Sequence, residues 1–265
     1  MMKQHPTAVI HKATRIPDDV TVGAYAVIED GVEIGSGCVI REHAIIRSGT
    51  ILGDNCIVDS QCVLGGLPQD LAFNPATPSG VRIGNNATFR EGVTINRATD
   101  EGKFTEIGDH AFFMANSHAG HDCQVGHHVI VANAVLLAGK VTVGDHVFIG
   151  GAAGVHQFCR IGESAMISGL SRVSQDAPPF CIYAERNELI GLNLIGLKRR
   201  GFSREAIKEL KALYQLILIE GGRPRAQAEE ALKDERAQTE QGRQFLEFMA
   251  ERTSRGVARP RGGSD

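Results

Sequence analysis

Aliphatic residues recur at every sixth position along most of this chain. From Ile10, the step of six lands on Ile16, Val22, Ile28, Ile34, Ile40, Ile46, Leu52, Val58 and Leu64. Four residues after each aliphatic comes a small or β-branched residue, as at Val20, Ala26, Val32, Cys38, Ala44, Thr50, Cys56 and Cys62. The residue just after the aliphatic is often glycine, as at Gly23, Gly35, Gly53 and Gly65. The register breaks over 65–82 and resumes at Ile83, Phe89 and Ile95, with Ala87, Val93 and Thr99 in the small column. It breaks again over 100–106, then runs without a miss from Ile107 to Val173.

A period of six drifts around the 3.6-residue turn of a helix, so an amphipathic helix does not explain it. A flat strand does not either, because glycine recurs too often and the run is too long. A coil of short strands and tight turns does, with each hexad forming one side of a triangular prism. Three hexads make a rung, so residues 18 apart stack. Runs of ten, three and twelve hexads make about eight rungs, roughly 40 Å of prism at ~4.8 Å per rung. Five of the six cysteines, Cys38, Cys56, Cys62, Cys123 and Cys159, fall in the small column, which predicts packing residues rather than reactive thiols.

The hexads stop near Asp176-Ala-Pro-Pro-Phe180. The prism is expected over 1–182, with loop insertions near 65–82 and 100–106, and a helical subdomain over 183–255. Ser203 is a candidate N-cap, followed by Ala206, Ile207, Leu210, Leu213, Tyr214, Ile217 and Leu218 at helical spacing. Gly221, Gly222 and Pro224 are expected to end that helix. A second amphipathic stretch carries Phe245, Phe248 and Met249. The basic, glycine-rich segment 256–265 is expected to be a disordered tail. The helices would cap the open edge of the coil.

Composition narrows the function classes. A formal net charge of −3, no Trp and three Tyr argue against nucleic acid as a partner. There is no CxxC pair to suggest a zinc knuckle or a redox site. No run of about 18 apolar residues occurs, and residues 1–10 lack the apolar core of a signal peptide. The expectation is a cytoplasmic protein with reduced thiols.

His121 is the residue that invites chemistry. It lies two places after Ala119, and Gly139 and Gln157 follow at steps of 18, so the three should stack about 5 Å apart. Asp122 and Lys140 stack in the next column. An alcohol attacking a thioester must lose a proton, which an imidazole can take. An adjacent carboxylate would orient the ring, and a bare glycine N–H could meet the oxyanion. Any residues 18 apart align on such a coil, so an ordinary solvated histidine is the competing reading. A metal site among His118, His121, His127 and His128 is weaker, because His118 and His121 occupy different hexad positions. No metal is expected. Lys198, Arg199, Arg200 and Arg204 form a local basic cluster suited to a phosphate or an acidic protein.

The stretches Gln69-Asp-Leu71, His118 to Cys123, Val155 to Cys159, Gln175 to Phe180 and Gly196 to Ile207 carry a resemblance. Over roughly residues 5–255 the chain resembles the bacterial UDP-N-acetylglucosamine acyltransferases, hexapeptide-repeat enzymes of lipid A synthesis. The resemblance implies a left-handed parallel β-helix and a homotrimer with sites between neighbours. It implies transfer of a (R)-3-hydroxyacyl chain from acyl carrier protein, with its phosphopantetheine arm, to the 3-hydroxyl of the UDP-sugar. No separate cofactor is implied. His121 would be the general base, Asp122 its partner and Gly139 the oxyanion donor. Gln69, Asp70, His118, Lys140, His156, Gln157, Asn193, Arg199 and Arg200 would bind substrate, and Gly169 would set acyl length.

Three departures stand out. Lys140, Ala72 and Ile195 stand where better-known members have His, Lys and Glu. Some members acylate a 3-amino sugar instead, forming an amide, and that alternative stays open. The related N-acyltransferase of the pathway carries an amino-terminal uridine-binding domain. Here hexads begin by Ile10, leaving no room for one. A catalytically silent trimeric scaffold is the reading outside enzymes.

Overall fold

The computed structural model describes residues 3–12 and 14–260. Within them short strands form three sheets of twelve, nine and seven strands, parallel throughout the hexads. The first face contains Thr21–Val22 through Met166–Ile167, the second Val9–Ile10 through Arg172–Val173, and the third Glu33–Ile34 through Arg160–Ile161. Each strand pairs with the one three hexads later, as in Phe112↔Ile130, His118↔Leu136 and Gln124↔Thr142.

The period-six aliphatics from Val22 onward point inward and are buried. All six cysteines are buried and free. Burial pushes the Cys62 and Cys123 thiols up to about 12, so they pack as small hydrophobes. The turns need a residue in the left-handed region on nearly every side. Asp122 (φ 59°) and Lys140 (φ 60°) take it on successive rungs. Each such residue carries a cost of about 1–2 kcal/mol, offset by the backbone ladder, in which the Lys140 N–H donates to the His121 carbonyl.

Both insertions leave from the corner between the second and third faces. Strands persist to Gly66 and from Gly80, and to Asn96 and from Phe104, so the loops span 67–79 and 97–103. Thr99 is a correction. It does not enter the small column; it sits in the second loop, and Thr105 is the fully buried residue there.

The helical part begins later than residue 183. Cys181–Ala184 and Glu188–Leu192 pair antiparallel and extend the first sheet. Four helices then follow: α1 (Leu194–Arg199), α2 (Arg204–Tyr214), α3 (Pro224–Lys233) and α4 (Glu240–Ala250). Ser203 caps α2 as expected, its hydroxyl accepting from the Ala206 N–H at 3.0 Å. A π-helical turn over Gln215–Ile219 prolongs α2. Pro224 does not merely end that run; it starts α3 at a position where its missing N–H costs nothing.

The expected disorder over 256–265 is also corrected as far as residue 260. Arg259–Pro260 pairs with Glu188–Leu189, Ala258 is buried and the Ala258 N–H donates to the Asp176 carbonyl. Residues 261–265 lie outside those described. No helix among the described residues is long and apolar enough to cross a membrane.

Candidate active site

His121, Asp122 and their supports are assembled from three successive rungs. Asp122 sits in a left-handed turn, and its own N–H donates to Thr105 Oγ1 at 2.8 Å. Its Oδ2 lies 2.7 Å from His121 Nδ1. From the loop below, Thr99 donates twice, N–H to Oδ1 at 3.0 Å and hydroxyl to Oδ2 at 2.8 Å. Burial pushes the Asp122 carboxyl up, but the bonds from His121 and Thr99 together hold it below the usual carboxylate range.

A carboxylate only accepts, so Nδ1 of His121 carries a proton, and in the neutral ring Nε2 has the lone pair. That edge of the ring faces Gly139. A Cβ at Gly139 would stand 2.5 Å from both Cε1 and Nε2. The Gly139 N–H has no acceptor among the described residues. On another corner the equivalent N–H of His127 is capped by Asp145 at 2.7 Å. A ring nitrogen and an unengaged donor therefore meet over one glycine.

They open onto a cavity of about 770 Å³ that Gln69, Asn96, His118, His121, Gly139, His156 and Gln157 help to line. Burial pushes the His118 imidazole down, opposed by its contact with Thr94, which lies 2.8 Å away through Oγ1. That shift favours the neutral His118 ring, which offers hydrogen bonds beside His121. Gln69 arrives on the first loop, tied down where Asn96 donates to the Leu67 carbonyl at 2.9 Å.

Other expected site residues do not converge here. Asp70 caps its own loop, accepting from the Ala72 N–H. Lys140 is exposed, its Nζ 6.0 Å from the Phe158 ring. Gly169 stands on the corner between the first and second faces, stacked on Gly151. Asn193 caps α1 and donates to the Ser164 carbonyl. Arg200 pairs with Glu163 and bonds the Ser164 hydroxyl, and Arg199 lies beside it on α1. These three belong to the corner between the third and first faces. The histidines proposed for a metal do not meet either, since His128 stacks between His110 and His146, at 4.6 and 4.7 Å, on that same corner.

Sequence reasoning missed Thr94, Asn96, Thr99, Thr105, Arg172, Ser174 and Arg186. The first four lie in or beside the loop insertion, where steps of 18 fail.

Comparison with known proteins decides the family. Residues 176–258 match the model described as UDP N-acetylglucosamine O-acyltransferase, domain 2. Residues 13–48 match the bacterial transferase hexapeptide model. The acyl-[acyl-carrier-protein]–UDP-N-acetylglucosamine O-acyltransferase of Campylobacter concisus is 40% identical over 265 residues, covering 99% of each chain. That of Paraburkholderia phymatum is 48% identical over 223 residues, 83% of this chain and 85% of the other.

The chain belongs to the UDP-N-acetylglucosamine O-acyltransferase family.

Two solved members of this acyltransferase family agree in fold. The Campylobacter jejuni structure is 38% identical, covers 98% of this chain and 100% of its own, and superposes with a TM-score of 0.90. The Acinetobacter baumannii structure is 35% identical, covering 97% and 100%, with a TM-score of 0.91. Within an O-acyltransferase, the Thr99 contacts predict a measurable role. Thr99→Val should keep the fold but lower kcat about tenfold, with KM little changed and Thr99→Ser restoring most of it. Steady-state kinetics beside a melting curve would check this, and an unaltered kcat would show that Asp122 needs no help from Thr99.

Proposed function

We propose that the protein transfers a (R)-3-hydroxyacyl group from acyl carrier protein to the 3-hydroxyl of UDP-N-acetylglucosamine, the first step of lipid A synthesis, in the cytoplasm. The observation that carries this reading is the free Nε2 of His121, held by Asp122 through Nδ1, opposite the unengaged N–H of Gly139. Nε2 takes the proton of the 3-hydroxyl as the oxygen attacks the thioester carbonyl. The Gly139 N–H receives the developing oxyanion. The tetrahedral intermediate then collapses, the C–S bond breaks, and the imidazolium returns its proton to the departing thiolate. Gln69, His118, His156 and Gln157 position the sugar nucleotide.

The acting unit in this reading is a homotrimer of left-handed coils. The outer side of the first face is apolar, with Val39, Ile57, Phe112, Ile130, Phe148 and Met166, and Ile57 and Phe148 are 36% and 37% exposed. The lower second face adds Val9, Val27, Ile45 and Val63. The third face carries Glu33, Arg82, Glu106, Gln124 and Thr142 and suits water. Two different adhesive faces on one prism favour a head-to-tail ring. Such a ring would bring the Asn193, Arg199 and Arg200 corner of one chain toward the His121 corner of the next. Gly169 would then lie inside, leaving room for a long acyl chain.

The test offers UDP-N-acetylglucosamine and its 3-amino analogue in parallel to 3-hydroxyacyl carrier proteins of several lengths. Ester product with the plain sugar is expected. Product with the amino sugar alone would make this an amide-forming variant. No product with either would return the scaffold reading.

A further inference from the structure

Two arginines on the wall of the same cavity meet no carboxylate among the described residues. Arg172 and Arg186 both line it, and both are exposed. On the coil Arg15, Arg41, Arg47, Arg82, Arg90 and Arg160 each meet a carboxylate. Among the described residues neither Arg172 nor Arg186 has an ion pair or a side-chain hydrogen bond. Two adjacent guanidiniums repel, so leaving both unpaired on an acidic protein is a cost that a bound anion would remove.

Their place in the ladder states which anion. On the second face the register runs His118↔Leu136, Leu136↔Gly154, Gly154↔Arg172 and Arg172↔Arg186. Arg172 is therefore three rungs and Arg186 four rungs from His118, about 14 and 19 Å. The track between is open. Leu136 is 55% exposed, and a Cβ at Gly154 would meet nothing within 4 Å. It is a shallow apolar path with His118, on the same rung as His121, at one end and two cations at the other.

Resting on the activity proposed above, we infer that Arg172 and Arg186 clamp the phosphate of the donor's phosphopantetheine arm while its thioester reaches His121. Fourteen bonds separate that phosphorus from the thioester carbonyl, roughly 17 Å when extended. This falls between the two arginine rungs. The diphosphate of the sugar nucleotide has the same chemistry but a shorter reach. Five bonds part the 3-oxygen from the nearer phosphorus, about 6 Å, and the farther is about 9 Å away. A sugar with its 3-oxygen at His121 leaves its phosphates about 5 Å or more short of the Arg172 rung. The arginine pair is a donor-positioning device, one that also discriminates carrier-bound acyl chains from simple thioesters.

The experiment compares 3-hydroxyacyl-phosphopantetheine with 3-hydroxyacyl-pantetheine, which lacks the phosphate, on the full chain and on Arg172→Gln/Arg186→Gln. The wild type should favour the phosphorylated donor by about tenfold or more in kcat/KM. The double variant should lower that preference to within twofold, leave the KM for the sugar nucleotide within twofold and melt as the wild type does. Arg172→Lys/Arg186→Lys should restore part of the preference. A preference that survives in the double variant, or a loss that falls on the sugar nucleotide's KM, overturns the assignment. Calorimetry with unacylated phosphopantetheine and pantetheine separates this from the activity itself. Should the wild type transfer no acyl group, the proposed reaction fails, yet the clamp still requires tighter binding of the phosphorylated compound, lost in the double variant. Equal binding of the two compounds sinks it.

Discussion

His121→Ala is expected to lower kcat/KM for acyl transfer by about 10²–10⁴, the usual worth of a positioned general base. The fold should be unaffected. The ring contributes one hydrogen bond, and Asp122 keeps both bonds from Thr99 and its own N–H bond to Thr105 when the imidazole is gone. The change in stability should stay near 1 kcal/mol. Residual activity from the Gly139 N–H and substrate binding should remain above the uncatalysed rate. Acid supplies a second mark. Asp122 is held below the usual carboxylate range, so its folded-state advantage is present above the unfolded value, near 3.9. That advantage disappears as pH falls through the lowered folded one. Between about pH 4 and 5 the carboxylate should still orient His121, and the acid limb of the rate should report the base rather than its partner. Wild-type transfer kinetics across pH, with the alanine variant as background, would check both. An alanine variant with full activity would remove His121 from the mechanism.

Gly139→Ala should be nearly as damaging, for a steric reason that no inspection of the glycine by itself reveals. The Gly139 φ is not in the left-handed region, so alanine strains no backbone. The added methyl, though, would stand 2.5 Å from Cε1 and Nε2 of His121, far inside van der Waals contact. The ring must swing away, stretching the 2.7 Å bond to Asp122 and pulling the basic nitrogen off the oxyanion donor. A misplacement of about 1 Å can cost 10²-fold, so kcat/KM should fall by about that factor or more. The melting temperature should move only a few degrees. The downfield Nδ1 proton signal of the His121–Asp122 pair should shift or vanish in the variant's NMR spectrum. Normal kinetics in Gly139→Ala would mean that the His121 ring has room to spare and that the glycine serves the turn alone.

The chain pattern by itself determined the prism. A step of six with inward aliphatics leaves one coil geometry, and the same arithmetic buried the cysteines and stacked His121, Gly139 and Gln157. Ser203 announced its helix because a cap is a local interaction across three residues. What the arithmetic cannot reach is whatever follows an insertion of arbitrary length. The backbone capping ladder steps by 18 from Gly37 to Asp19 but by 31 from Asp54 to Asn85 and by 24 from Asn85 to Asp109. Thr99, counted into the core by its register, turned outward to Asp122 for this reason. The tail over 256–260 misled in another way. Its composition reads as disorder, but Val257 bridges to Asp176 and Arg160 reaches the Glu251 carboxylate, contacts between segments some eighty or more residues apart. Arg172 and Arg186 were legible as charges, yet only a parallel backbone bridge between them put them side by side above His121. Constraints that act at fixed spacing can be read from sequence, whereas contacts closed by loops and a returning chain end exist only once the coil has folded.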